Sequence, residues 1–365
     1  ILWGQSQYKS AGPLSEPICL QVPRGASMRS VSEDLEAQNA ISNGAIFRIG
    51  VDYADKARDL KAGSWLLQSG ASMSEIAEAI TRGGASTCGI EVIYRIGVNS
   101  GGVEIREMDP ATNRFVELAD FDPFDEAETP AVYSEVRERA DTRYRVAVAE
   151  GVTSWQVVNV LGQIDALTGE VETLPPEGSL APDSYEFSAG DTRLEILQRM
   201  QSEQAALLAA AWAARDPDIP LESPQEALIL ASIIEKETGV ASERPQVASV
   251  FVNRLERGMR LQTDPTVIYG ITNGVGVLGR GIRQSELRRA TPYNTYVIDG
   301  LPPTPIANPG AASLMAAVQP PDSELLFFVA RTLDPRDGHN FAETLAEHNR
   351  NVAAYRELER AAGNQ

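Results

Sequence analysis

The chain has 365 residues, 43% hydrophobic and 23% charged, the composition of a folded soluble protein long enough for two or three compact units. Fifty-one acidic against thirty-two basic residues give a net charge of −19, the wrong sign for a nucleic-acid surface, so no nucleic-acid partner is expected. Two histidines, His339 and His348, and two cysteines, Cys19 and Cys88, make no metal-ligand cluster and leave little for a Ser-His-Asp or Cys-His mechanism; neither metal nor cofactor is expected. The cysteines either pair in an oxidising compartment or stand as two buried thiols.

The chain opens at Ile1-Leu2-Trp3-Gly4, and a Trp after aliphatic residues suits the interfacial end of a membrane helix lying upstream. Residues 1–16 then read as a membrane-proximal linker; the plainer reading is a trimmed soluble start. No stretch approaches the ~20 apolar residues of a span.

The N-terminal half repeats. Copies start at Gly25, Gly70, Gly151 and Gly190, each followed two residues later by an N-cap type: Ser27, Ser72, Thr153, Thr192. Glu75, Gln156 and Glu195 complete capping boxes, with Ser30 the exception. Apolar pairs six and ten residues past each glycine give one buried helical stripe: Val31/Leu35, Ile76/Ile80, Val157/Leu161, Ile196/Met200. Strands are expected upstream of the glycines at 18–22, 65–67, 144–148 and 185–187. Each copy is thus strand, glycine turn, capped helix, and the copies pair into units over 17–87 and 143–204. A bare strand-helix scaffold and a glycan-binding module account for the repeat equally well.

Between the pairs, 88–142 reads as a β-rich insertion. Segments 90–98 and 103–108 flank the turn Asn99-Ser100-Gly101-Gly102, another strand covers 115–118, and the acidic run 120–128 suits a solvated loop.

Residues 205–365 change texture. Ser223-Pro224-Gln225-Glu226 stacks an N-cap, an N1 proline and a capping-box glutamate, and predicts a helix over 227–238 with Gly239 as its C′ residue. A second helix is expected from 245 to 257, ending at Gly258. Proline- and glycine-rich loops follow, then a buried strand at 325–330 and a helix from about 341 to 362.

The first of these helices is apolar almost all round and ends in Glu235-Lys236-Glu237-Thr238. Burial and the negative helix end both disfavour a charged carboxyl there, as a general acid needs. Periodicity does not choose between Glu235 and Glu237, and does not exclude that both are solvated last-turn residues.

Ordered blocks narrow the choice: Ala231-Ser232-Ile233-Ile234-Glu235-Lys236-Glu237-Thr238, Val247 to Leu255, Met259-Arg260-Leu261-Gln262-Thr263-Asp264-Pro265-Thr266, Tyr293-Asn294-Thr295-Tyr296, Gly300-Leu301-Pro302-Pro303 and Asn308-Pro309-Gly310. This series resembles the endolytic murein transglycosylases of the MltG/YceG-like family. The likeness extends to Gly338-His339-Asn340-Phe341 and, more loosely, back over the repeat half, which the family describes as LysM-like; the insertion departs from its shorter pattern.

The resemblance implies an α+β architecture of LysM-like units with a β-rich insertion, followed by a mixed α/β catalytic domain. It implies Glu235 as the single acid/base, protonating the oxygen between MurNAc and GlcNAc in peptidoglycan glycan strands and then taking the proton of the MurNAc C6 hydroxyl as a 1,6-anhydro ring closes. It also implies an inner-membrane anchor, a periplasmic body and proximity to peptidoglycan synthases.

Gln262, Thr263, Asp264, Tyr293, Asn294, Tyr296 and Asn308 are candidate substrate-binding residues by type. Their plainer readings are an N-cap at Asp264, a rigid loop at 293–296 and a turn former at Asn308. His339 and His348 read as cap or core residues. No phosphate-cradling loop is present, and Lys236 beside two glutamates gives a pyridoxal-phosphate lyase little support. The rivals are a non-catalytic peptidoglycan-binding scaffold and a hydrolase pairing Glu235 with Asp264.

Overall fold

The computed structural model describes residues 2–83, 86–122, 129–139 and 142–363. The protein is mixed α and β, as expected, and divides into two compact units: Ile1–Tyr94 with Gly102–Arg145, and Arg95–Gly101 with Val146–Gln365.

The first unit begins with α1 (Leu2–Lys9), β1 (Ile18–Val22), α2 (Met28–Ala37), α3 (Gly44–Tyr53), β2 (Gly63–Leu67) and α4 (Met73–Thr81). Strands β1 and β2 pair antiparallel, with Ile18 opposite Leu67. Both stripe pairs are inside: Val31, Leu35, Ile76 and Ile80 are each at most 1% exposed and pack with Leu20, Phe47 and Trp65. Ser30 is no exception after all. Its hydroxyl accepts the Ser27 N–H while Ser27 accepts the Ser30 N–H, so a short side chain closes the box that glutamate or glutamine closes elsewhere. Helix α3 was not foreseen; Asn43 caps it by accepting the Ile46 N–H, but its first residue is a glycine, a weak helix signal.

Next come β3 (Ile90–Ile96), β4 (Gly101–Asp109), β5 (Arg114–Phe121) and an unforeseen α5 (Ala131–Glu138). The acidic run is not all loop. Asp120 and Phe121 extend β5, opposite Glu104 and Val103 of β4, because each strand residue added gains ladder hydrogen bonds; residues 123–128 of the run lie outside the described residues. Glu91 is buried in β3. Burial pushes its carboxyl up, but Arg106, Arg145 and Arg143 outweigh this and hold it below the usual range. Cys19 and Cys88 form a disulfide.

With β6 (Arg143–Val148) and β7 (Ser184–Phe187), these strands form a sheet of order β5-β4-β3-β6-β7.

The second unit holds α6 (Ser154–Gln163), α7 (Arg193–Ala213), α8 (Pro224–Glu237), α9 (Arg244–Glu256), α10 (Asp264–Thr272), α11 (Gln284–Leu287), α12 (Ala311–Val318), β8 (Phe327–Ala330), β9 (His339–Ala342) and α13 (Leu345–Gly363). Thr153 and Thr192 cap α6 and α7 in reciprocal boxes with Gln156 and Glu195, as the repeat predicts. The core lies around α8, against α7, α9 and α12. The expected C-terminal helix starts later than 341: Phe341 belongs to β9, opposite Phe328, where its ring packs on the core instead of opening a helix. Among the described residues no helix is long and apolar enough to cross a membrane.

Candidate active site

Helix α8 sets the site. Ser223 accepts the Glu226 N–H and Pro224 occupies the first turn. The Glu226 carboxylate does not return to the Ser223 N–H; it takes the Glu222 N–H at 2.7 Å, one residue beyond a capping box. Ala227 through Ile234 are all buried, and Ser232 donates to the Ile229 carbonyl while accepting the Ile306 N–H. Burying Leu228, Ile229, Leu230, Ile233 and Ile234 is worth on the order of 10 kcal/mol before entropy, so the last turn leaves a fixed platform.

Gly239 follows the C-cap Thr238, the expected C′ place, but does not take the left-handed turn. Thr238 is extended at φ −137°, because its hydroxyl takes the Val240 N–H and stops the helix itself. Gly258, by contrast, sits at φ +64° beyond α9, as expected.

Glu235 has a side chain only 4% exposed. Its Oε1 accepts from Arg244 Nη2 at 3.1 Å and its Oε2 accepts the Gly310 N–H at 3.0 Å. Arg244 is the first residue of α9, delivered by the short turn Ala241–Glu243. The same Nη2 donates to Glu150 Oε2 at 2.8 Å. Burial, and then the charge of Glu235, push the Glu150 carboxyl up against the pull of Arg244. Gly151 closes the remaining side: a Cβ there would lie 3.6 Å from Glu235 Cγ, and its carbonyl accepts from Lys236 Nζ at 3.1 Å. Burial pushes the Lys236 ammonium down, with Glu235 and Glu177 opposing.

Glu237 lies two residues on, roughly 200° around the helix, and meets a different group. The Thr263 hydroxyl donates to its Oε1. Although part of Glu237 stays accessible, burial raises it to about 7; the Thr263 bond opposes this, the Asp264 charge adds to it, and Arg254 opposes it. Tyr296 donates to Asp264 Oδ1 at 2.6 Å, and buried Arg254 donates to the Leu326 and Leu261 carbonyls. Gln262 sits at φ +50° with its N–H on the Thr295 carbonyl, a strained turn that directs Thr263 inward while its own side chain is exposed. Thr263, Asp264 and Tyr296 therefore gather at Glu237, and none of them hydrogen-bonds Glu235.

The other candidates are bonded within the protein. Asn294, 1% exposed, donates to the carbonyls of Glu286, Leu287 and Arg289 and accepts the Tyr296 N–H. Tyr293 shares a hydrogen bond with Thr304 and lies 5.1 Å from the Tyr269 ring. Asn308 is fully buried: its Oδ1 accepts the Leu180 N–H at 2.9 Å and its Nδ2 donates to Val152 O at 3.1 Å. Its backbone pairs with the same segment, Asn308 N–H to Val152 O and Gly151 N–H to Asn308 O. His339 Nδ1 lies 2.9 Å from the Glu243 carboxylate, and His348 stacks on Phe327.

Glu150, Arg244 and Gly310 are the site residues that sequence reasoning missed. Gly310 lay within a quoted block and Glu150 beside a repeat glycine, but nothing in the spacing joined them to Glu235. Among the described residues no cluster of His, Cys, Asp and Glu could hold a metal ion.

The profile of the YceG-like family matches residues 20–354. The chain is 28% identical to an endolytic murein transglycosylase of Bacillus subtilis, over 97% of this chain and 89% of that protein. It is 26% identical to an endolytic murein transglycosylase of Streptococcus pneumoniae, over 93% of this chain but only 58% of that relative's length. A crystal structure of a yceG-like protein from Listeria monocytogenes aligns at 25% identity over 92% of this chain and 99% of that one, with a TM-score of 0.47.

Proposed function

The chain belongs to the YceG-like family, and from that premise we propose that it is an endolytic peptidoglycan lytic transglycosylase with Glu235 as its acid/base. The observation that carries the residue assignment is Glu235 itself: a carboxyl at the end of a buried helix, with one donor on each oxygen and two glycines packed around it. In the proposed reaction Glu235 gives its proton to the oxygen bridging MurNAc and GlcNAc. The positive charge that develops at C1 is relieved when the C6 hydroxyl attacks it, and the Glu235 carboxylate takes that hydroxyl's proton. A 1,6-anhydroMurNAc end forms and no water is consumed, so one carboxyl suffices where glycosidases use two. Arg244 and the Gly310 N–H each donate to the carboxylate that the second half uses.

A second assignment has one observation in its favour: Glu237, raised to about 7, holds a proton at the pH where an acid catalyst works. Digestion of glycan strands by the wild type, Glu235→Gln and Glu237→Gln, read as 1,6-anhydroMurNAc ends by mass spectrometry in oxygen-18 water, separates the readings. Under the proposal Glu235→Gln makes no anhydro ends and the wild-type ends carry no label. Wild-type anhydro yield from Glu235→Gln, or labelled reducing ends from the wild type, refutes it. The strand-helix units are proposed as the part that contacts glycan. The proposed setting is periplasmic, at the inner membrane near peptidoglycan synthases, where the Cys19–Cys88 disulfide persists.

A further inference from the structure

The acid half of the proposed reaction poses a physical difficulty. Glu235 must carry a proton in that half, yet its Oε1 sits 3.1 Å from a guanidinium. The relief lies in what else Arg244 touches. One nitrogen, Nη2, donates one hydrogen to Glu150 and the other to Glu235, so the two carboxylates share a single guanidinium charge. Among the described residues, the buried Arg244 Nε has no hydrogen-bond partner.

Glycine 310 fixes the arrangement. Its N–H holds Glu235 Oε2, while the carboxylate of Glu150 lies where a side chain would be, with Oε1 1.9 Å from an added Cβ. One backbone residue therefore positions both acids against Arg244. The charged groups around Glu235 are Glu150 after β6, Lys236 on α8, Arg244 on α9 and, facing Lys236, Glu177. Three carboxylates face two cations, one negative charge in excess. A single proton restores the balance.

Resting on the assignment of Glu235 above, we propose that Glu150 is a positioning residue for the reaction: it draws Arg244 to itself while Glu235 carries the proton and yields it when Glu235 becomes a carboxylate. The guanidinium then shifts its bond from one acid to the other as the proton leaves for the glycosidic oxygen, and shifts back when the C6 hydroxyl proton arrives. No group is consumed. Glu150 acts through Arg244 and not on the reacting atoms.

The test uses the full chain and glycan strands, with the initial rate of anhydro-end formation followed from pH 5 to 9. Removing the competing charge in Glu150→Gln leaves Arg244 wholly to Glu235, so the alkaline limb of the profile moves to lower pH by about one unit. The loss of rate is then about tenfold at pH 8 and shrinks toward pH 5. Glu150→Asp, which keeps the charge, brings the limb back toward the wild-type position, and KM stays within about twofold in both variants. An unshifted profile with a uniform loss of rate, or a rise in KM alone, overturns the proposal, because a merely structural or substrate-binding role would give those results. Oxygen-18 in the wild-type product that disappears in Glu150→Gln also overturns it, by making Glu150 the base for water. Glu235→Gln serves as the separate control: its retained activity sinks the assignment of Glu235, whereas its inactivity with an unshifted Glu150→Gln profile sinks this inference alone. Thermal melts of each variant confirm folding before rates are compared.

Discussion

Asn308→Ala separates a structural amide from a substrate-binding one. The side chain is fully buried and ties the segment 306–310 to Val152 and Leu180. Truncation leaves the buried Leu180 N–H without its acceptor, which costs ~1–3 kcal/mol. Val152 O keeps the Asn308 N–H at 2.8 Å, so its loss is smaller, while the missing amide leaves a void worth about 1 kcal/mol more. The sum is about 2–4 kcal/mol, to be read as a lowered urea midpoint by tryptophan fluorescence, with Trp155 and Trp212 in the same unit. Because Gly310 follows two residues later and holds Glu235, the anhydro-forming kcat should fall while KM changes little. A variant as stable as the wild type whose KM alone rises would refute this reasoning and return Asn308 to the glycan-binding surface.

Glu237 predicts a pH dependence of stability. Its folded-state value, about 7, lies above its unfolded one, so its contribution is full below the unfolded value and is lost as pH rises through 7. Thermal melts should fall from pH 5 to 8 in the wild type and flatten in Glu237→Gln, which gains about 1–3 kcal/mol at pH 8, discounted for the accessible part of the side chain; parallel curves would contradict it. Cys19 and Cys88 are 69 residues apart in sequence, so Cys88→Ser should cost the first unit up to about 4 kcal/mol of loop-closure entropy, visible as amide exchange in α2 and α4 that speeds up while α8 is unchanged. Gly310→Ala must expel Glu150 from its place; loss of anhydro product with an unaltered melting temperature is expected, and a fully active variant would show that the close contact is dispensable.

The repeat was legible because each copy is written locally. A strand, a cap and an i, i+4 stripe lie within about twenty residues, and short-range hydrogen bonds realise them directly. Helix ends were read less well. Gly239 and Gly258 look alike in sequence, but the Thr238 hydroxyl ends α8 before its glycine is needed, and a side-chain bond of that kind has no signature in composition. Helix α8 and its terminal carboxyls could be read from apolar run, cap and motif together. The partners of Glu235 could not: Glu150, Arg244 and Gly310 come from three separate segments, and the residue types singled out at 262–264 and 296 collect instead around Glu237.

The pairing of residues 151–152 with 308 has a temporal side. Arg244 follows Glu235 by only nine residues, but Glu235 lies 75 residues before Gly310 and Glu150 lies 94 before Arg244, so the second donor and the acid that shares the first join only after long loops have closed. A chain still emerging from the ribosome carries its glutamate with Arg244 close by but without the Gly310 N–H. Wall-cutting competence, on this account, arrives last, as a property of the completed polypeptide and not of the residue.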